Sequence, residues 1–224
     1  MHQTLTLPPR RAGLLLIDLQ QEHRTDCRYL VPDYDNVTAN CARLLAAARA
    51  ARMPVLHSVY LVEAATRPFH PTGADGRSAF SDAATPGAEI SPEVTPLPGE
   101  EVIVKGDASV FTAPALDAAI ARLGLDWLII GGCWSEACVA ATVKDGVERG
   151  TRILLVKDAC GSGSPAMHQT AVLNMANRLY GGAVADTARA EALIAGAAAQ
   201  VWRTDLPVPI KFTWDSAAAD YAAL

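Results

Sequence analysis

The sequence predicts an α/β protein built on a doubly wound parallel sheet with helices on both faces. Two observations predict it. Short bulky apolar runs alternate with stretches of helical apolar spacing from residue 14 to residue 184, the order that parallel strands and crossover helices produce. Runs such as Leu14-Leu15-Leu16-Ile17 and Trp127-Leu128-Ile129-Ile130 are apolar at every position, as strands buried on both faces are.

The elements follow in order. Residues 14–17 form a first strand that ends at Asp18, and 36–51, with Val37, Cys41, Leu44, Leu45 and Ala48 on one face, form a helix. Residues 54–60 are a second strand. The stretch 61–99 is rich in Pro, Gly, Ala and Ser and lacks periodicity, so it reads as a long surface excursion of the kind that carries lids or binding loops. A third strand at 101–104 ends at Lys105, a helix spans 113–123, and a fourth strand spans 127–130. Residues 136–149 have helical spacing, with Ser135 in the N-cap position and Gly150 just past the end. A strand at 152–156, a helix at 165–179 and a short strand at 182–184 complete the pattern. The domain runs over about 1–200. Residues 201–224, with two tryptophans and two prolines, are expected to form an arm on the domain or on a neighbouring subunit.

Composition narrows the function. The chain has 224 residues, half of them hydrophobic, and a net charge of -5, with no basic patch for nucleic acid or for an anionic membrane. No apolar run approaches membrane-spanning length and the start of the chain lacks signal-peptide architecture, so a cytoplasmic location is expected. The cysteines at 27, 41, 133, 138 and 160 are odd in number and contain no C-x-x-C pair, which points to reduced thiols rather than a disulfide scaffold or zinc site. Cys27, Cys41 and Cys160 read as packing or loop thiols. Cys133 does too, although its position makes it a second reactive candidate.

Three strands end on chemistry: Asp18 after the first, Lys105 after the third, and Cys138 just beyond the fourth. The carboxyl ends of parallel strands share one edge of the sheet, so an acid, a cation and a thiol can meet there. A carboxylate beside a thiol accepts its proton, and a lysine nearby favours both anions. Cys138 falls in the first turn of its helix, where the unpaired N–H groups and the helix dipole are expected to lower the thiol pKa. Taken singly, Asp18 reads as readily as a loop cap, Lys105 as a solvated strand-end charge, and Cys138 as a small buried hydrophobe. His23, His57 and His168 read as hydrogen-bonded structural or rim residues.

The conjunction of these residues resembles the isochorismatase-like cysteine hydrolases. The matches are Leu-Leu-Ile-Asp-Leu-Gln at 15–20, Lys105 followed by Ser109 and Phe111, Ser135-Glu136-Ala137-Cys138-Val139, Thr142, Asp158-Ala159 and His168, in order over about residues 12 to 195. The resemblance implies a three-layer α/β/α Rossmann-like fold with a six-stranded parallel sheet, in which Lys105 reaches across an intervening strand to Asp18. It implies Asp18 as general base, Lys105 as the orienting charge and Cys138 as nucleophile. It also implies a cis peptide between Cys133 and Trp134, with the N–H groups of Trp134 and Cys138 forming an oxyanion hole. Gln20, Tyr60, Phe111 and Trp134 are assigned to the substrate pocket.

The implied activity is hydrolysis of a C–N bond in a small carbamoyl, ureido or amide substrate through a thioester. Alternatives are the opening of a cyclic amide, as in streptothricin hydrolase, and a binding protein that keeps the fold without turnover. No cofactor is implied, and no metal, because the Asp-x-His motif of nicotinamidases is missing after the second strand. The expected partner is a small-molecule amide, with no nucleic acid and no membrane, and the family implies a homodimer or homotetramer.

Overall fold

A computed structural model describes residues 1–8, 10–26, 28–63 and 67–224. The reading of Cys27 as a packing or loop thiol, and the part of the 61–99 excursion at 64–66, lie outside the described residues. In chain order the strands are β1 (His2–Leu5), β2 (Ala12–Ile17), β3 (Val55–Tyr60), β4 (Glu101–Lys105), β5 (Trp127–Cys133), β6 (Arg152–Gly161), β7 (Ala183–Ala185) and β8 (Ala199–Trp202). The helices are α1 (Glu22–Thr25), α2 (Tyr34–Ala50), α3 (Pro114–Leu123), α4 (Ala140–Glu148), α5 (Pro165–Ala176), α6 (Thr187–Ile194) and α7 (Ala217–Ala222).

The sheet has eight strands in the order β1-β8-β7-β6-β5-β2-β3-β4. The six from β7 to β4 are mutually parallel, as expected, but β8 pairs antiparallel with β7 and β1 pairs antiparallel with β8, so the six-strand count is short by two. Both added strands have four residues. Their partners lie about two hundred positions apart in the chain, His2 opposite Trp202, so no local pattern announces them.

Alternation along the strands builds two cores. Leu14, Leu16, Ile129, Leu154 and Val156 face Leu44, Leu45 and Ala48 of α2 and Leu193 of α6. Leu15, Ile17, Leu128, Ile130 and Leu155 face Leu116 of α3, Val143 of α4 and Val172 of α5. Each of these Leu, Ile and Val side chains, removed almost wholly from water, contributes roughly 1.5–3 kcal/mol of burial free energy. The chain runs outward from β2 through β3 to β4, then starts again beside β2 with β5 and runs the other way. The boundary between β2 and β5 is therefore a topological switch point, where the strand ends leave a crevice.

The last residues return to this body. Asn177 and Ile210 exchange two 2.8 Å hydrogen bonds, and α7 packs along α5 with Lys157 Nζ donating to the Tyr221 carbonyl at 2.8 Å. Asp186, which caps α6 by accepting from Arg189 N at 2.8 Å, marks a helix that the sequence reading did not place. No helix among the described residues is long and apolar enough to cross a membrane.

Candidate active site

Asp18 is the first residue beyond β2, and its backbone is left-handed, φ 50°. That conformation is uncommon outside glycine, though aspartate tolerates it better than most residues. Here it is held from three sides: Asp18 N–H donates to Ser58 O at 3.1 Å, and Asp18 O accepts from Gln20 N at 3.0 Å and lies 3.0 Å from His23 Nε2. The carboxylate is thereby turned toward the strand ends and is 3 % exposed.

Ser58 Oγ donates to Asp18 Oδ1 at 2.7 Å. On the other oxygen, Lys105 Nζ approaches Oδ2 to 2.7 Å, an ion pair that lacks hydrogen-bond alignment and so leaves Oδ2 short of an oriented donor. Lys105 is the last residue of β4, opposite Tyr60 in register, and its stem crosses β3 to reach this point, with Nζ 4.4 Å from the centre of the Tyr60 ring. The same ammonium donates to Cys138 Sγ at 3.2 Å and to Asp107 O at 3.1 Å. The long reach from the third parallel strand is thus made, and the carboxylate, the ammonium and the thiol converge.

Cys138 is brought in by the end of β5. Gly132 sits at φ 134°, and a Cβ there would lie 2.1 Å from Ile17 O, so only glycine lets β5 run this close beside β2. The Cys133–Trp134 peptide that follows is cis. The next turn differs from expectation. Ser135–Val139 is a π-turn leading into α4, with Val139 N–H donating to Trp134 O, five residues back, at 3.1 Å. Trp134, not Ser135, occupies the N-cap, because the Ser135 hydroxyl is spent on Gly161 O at 3.0 Å and His168 Nδ1 at 2.7 Å. Thr142 fixes the far side of the turn, donating to Cys138 O at 2.7 Å and accepting from Val110 N–H at 3.1 Å.

The thiol pKa is a correction. First-turn placement predicts a value below that of free cysteine, but burial pushes the Cys138 thiol up to about 12, the Asp18 charge pushes in the same direction, and Lys105 offsets only part. At rest the proton therefore sits on sulfur. Cys133 is fully buried in the core against α2, with its thiol raised well above the usual range by burial.

The pocket assignments divide. Tyr60 and Trp134 are half-buried and border the cluster. Gln20 does not line a pocket: it is fully buried, and its amide clasps the backbone of Tyr60, accepting from Tyr60 N–H at 2.9 Å and donating to Tyr60 O at 3.1 Å. Phe111 is likewise core, packed under Gly146 of α4 with the Arg149 guanidinium 5.1 Å over its ring, because the Ser109 hydroxyl turns that segment inward by accepting from Phe111 N–H. Their places at the site go to Ser58, Tyr29 and Phe80. Ser58 was detectable as a small hydroxyl residue within the strand Val-Leu-His-Ser-Val-Tyr. Tyr29 and Phe80 arrive on loops with no periodic signal.

His23 accepts from the Trp134 indole N–H at 3.3 Å and is held neutral, its pKa lowered to about 4 by burial. Glu22, raised by burial, is anchored by Ser81 N–H at 2.7 Å and Ser81 Oγ at 2.8 Å, tying the loop after β3 to α1. A cavity of about 380 Å³ opens between α2, the end of β6 and α5, but it contains none of Asp18, Lys105 or Cys138, so it is distinct from this cluster. Among the described residues no three His, Cys, Asp or Glu side chains converge as metal ligands would.

Known proteins share this arrangement of chain. Streptothricin hydrolase of Streptomyces noursei is 31% identical over 179 residues, 78% of this chain and 65% of the relative. Maleamate amidohydrolase of Pseudomonas putida is 27% identical over 184 residues, 78% of this chain and 83% of the relative. The crystal structure of an isochorismatase family protein from Desulfovibrio vulgaris superposes with TM-score 0.73 at 27% identity, covering 83% of this chain and 99% of that one. The isochorismatase domain model matches residues 12–189, and with β2 through β7 inside that span the chain belongs to the isochorismatase family.

Proposed function

We propose that the protein is a cysteine amidohydrolase that cleaves a C–N bond of a small carbamoyl, ureido or amide substrate. As a family member with relatives named as amidohydrolases, it is a hydrolase of non-peptide C–N bonds. The observation that carries the finer reading is the meeting of Cys138 Sγ, Lys105 Nζ and the buried Asp18 carboxylate within 3.2 Å and 2.7 Å contacts.

In this reading Asp18 takes the thiol proton at Oδ2, the oxygen without an aligned donor, as Sγ attacks the carbonyl carbon. Lys105 keeps the carboxylate and the sulfur in one place and stabilises negative charge on both. The amides of Trp134 and Cys138 face the developing oxyanion, supported by their place in the first turn of the helical run, where N–H groups lack intrahelical acceptors. As the C–N bond breaks, Asp18 returns its proton to the leaving nitrogen, which departs as ammonia or an amine. Water then gives a proton to Asp18 and attacks the thioester, the C–S bond breaks, and the sulfur recovers its proton.

The test is ammonia release from a panel of small amides, ureides and carbamoyl amino acids, with the wild type beside Cys138→Ala. Turnover by the wild type that falls at least about 10⁴-fold in the variant is expected. Residual turnover within about tenfold of wild type would overturn the assignment of the nucleophile. The streptothricin hydrolase relative favours one further substrate form, a lactam, whose opening adds one water in mass and releases no ammonia.

A further inference from the structure

We propose that this site is built for an uncharged amide whose carbonyl is carried by a flat apolar group, and that it turns away amides bearing a carboxylate. The inference rests on the reading of the site as a thiol hydrolase and specifies what it admits.

The first observation is a row of rings. Trp134 stacks on Tyr29 with centroids 4.8 Å apart and planes at 22°, Tyr29 stacks on Phe80 at 4.9 Å and 23°, and Phe80 lies over Tyr60 at 6.3 Å and 20°. One end of the row is Tyr60, 4.4 Å from the Lys105 ammonium, and the other is the residue that opens the Cys138 turn. The rings thus border the reacting cluster from the lysine to the nucleophile turn. The row is loosest at the lysine end. All three centroid distances fall within the 4.5–7 Å at which offset rings stack, so a planar group is received on the edge and face that the row leaves open rather than between its rings.

The second observation is charge. The segments that bring these groups together, residues 18–31, 60–82, 105–111 and 134–138, hold eight Asp and Glu against five Lys and Arg. Each of the five cations already has a carboxylate: Arg24 with Asp35 at 2.7 Å, Arg28 with Asp26 at 2.6 Å, Arg67 with Asp107 at 2.5 Å, Arg77 with Asp82 at 2.8 Å and Lys105 with Asp18 at 2.7 Å. The residues of these segments outside the description, Cys27 and 64–66, carry no charge. His23, the imidazole against Trp134 and Tyr29, is neutral. A carboxylate entering here gives up water, finds each of these five cations already paired, and meets the Asp18 charge beside Cys138.

Alkylation of Cys138 in the full-length protein reads this selection without requiring turnover. Sγ displaces iodide from the reagent's methylene, a C–S bond replaces the C–I bond, and the thiol proton goes to Asp18 or water. Rates at pH 9 are measured for iodoacetamide, iodoacetate and N-phenyliodoacetamide by mass spectrometry of the Cys138 peptide, each divided by the rate with free cysteine.

The expected result is a normalised preference of at least about tenfold for iodoacetamide over iodoacetate, and of at least about threefold for the phenyl reagent over iodoacetamide. The phenyl preference is expected to vanish in Phe80→Leu and persist in Phe80→Tyr. A charge preference below tenfold, no phenyl preference, or no alkylation by any of the three overturns the proposal. A protein that shows both preferences yet hydrolyses no amide upholds it and refutes the hydrolase reading, so the two fail separately.

Discussion

The floor and the roof of this site are built by different means. The floor consists of Asp18, Lys105 and Cys138, at or beyond the ends of parallel strands, and of Ser58 within β3, each at most 8 % exposed. Every one is held by the sheet: Ser58 by its register opposite Ile17, Lys105 by its register opposite Tyr60, and Cys138 by the glycine that lets β5 run against β2. The roof consists of Tyr29, Phe80 and Trp134, half-buried rings held mainly by one another and by His23. A buried, register-locked floor preserves the geometry that bond breaking requires. A roof carried on loops changes its side chains at small cost to the sheet, and that is where one family acquires many substrates.

The largest effect separates the floor's two duties for Asp18. Its charge raises the Cys138 thiol and, in the proposed mechanism, its oxygen accepts the thiol proton, so Asp18→Asn is expected to move two observables in opposite directions. Turnover is expected to fall by about 10³-fold or more through loss of the base. Alkylation of Cys138 by iodoacetamide at pH 7–8 is expected to speed up, because removing the anion lowers the thiol pKa and raises the thiolate fraction. In the wild type the rate is expected to rise about tenfold per pH unit from 7 to 10 with no plateau, because burial pushes the thiol up to about 12. Alkylation that slows in parallel with turnover would show that Asp18 does not act on the sulfur by charge.

Ser58→Ala tests a member of the floor that is almost wholly buried behind the Asp18 carboxylate. It removes one buried hydrogen bond to a carboxylate, of order 1.5–3 kcal/mol, so a fall in kcat of roughly ten- to a hundredfold with little change in KM is expected. A rise in KM with kcat preserved would place Ser58 in binding instead.

The smallest effect belongs to the roof. Burial lowers the pKa of His23 to about 4, below the usual 6.5, and the unfolded chain therefore takes up a proton that the folded one refuses between those values. The stability contributed by neutral His23 is complete above pH 6.5 and is lost as pH falls from 6.5 to about 4. His168, also lowered to about 4, adds to the same slope. A Tm that declines by several degrees over that window, with a shallower decline in His23→Gln, is expected in thermal melts. An identical slope in the variant would contradict the burial of His23.

Much of this molecule was legible in its residues for local reasons. An all-apolar run such as 127–130 has no stable place except between two helical layers, so the parallel sheet followed from composition at each position. The residues at strand ends followed from the same runs, and the Ser-Glu-Ala-Cys segment identified the thiol. The expected helix after β5 held for 140–148 but not for its first turn, because the Ser135 hydroxyl found partners in Gly161 and His168, residues more than twenty positions away. The pocket assignments of Gln20 and Phe111 failed in the same way. A glutamine after a strand is able either to face a ligand or to bond backbone, and only the neighbouring strand β3 supplied the amide and carbonyl that took it.

The sequence by itself determined the fold class, the six parallel strands and the identity of the acid, cation and thiol, because these depend on hydrophobic periodicity and on which residue follows each strand. Only the tertiary structure decided that β1 and β8 extend the sheet, that the thiol is raised rather than lowered, and that Tyr29 and Phe80 close over it. The physical reason is range: strand pairing across the whole chain, desolvation and ring stacking are sums over neighbours brought together by folding, and no residue carries a record of its neighbours in space.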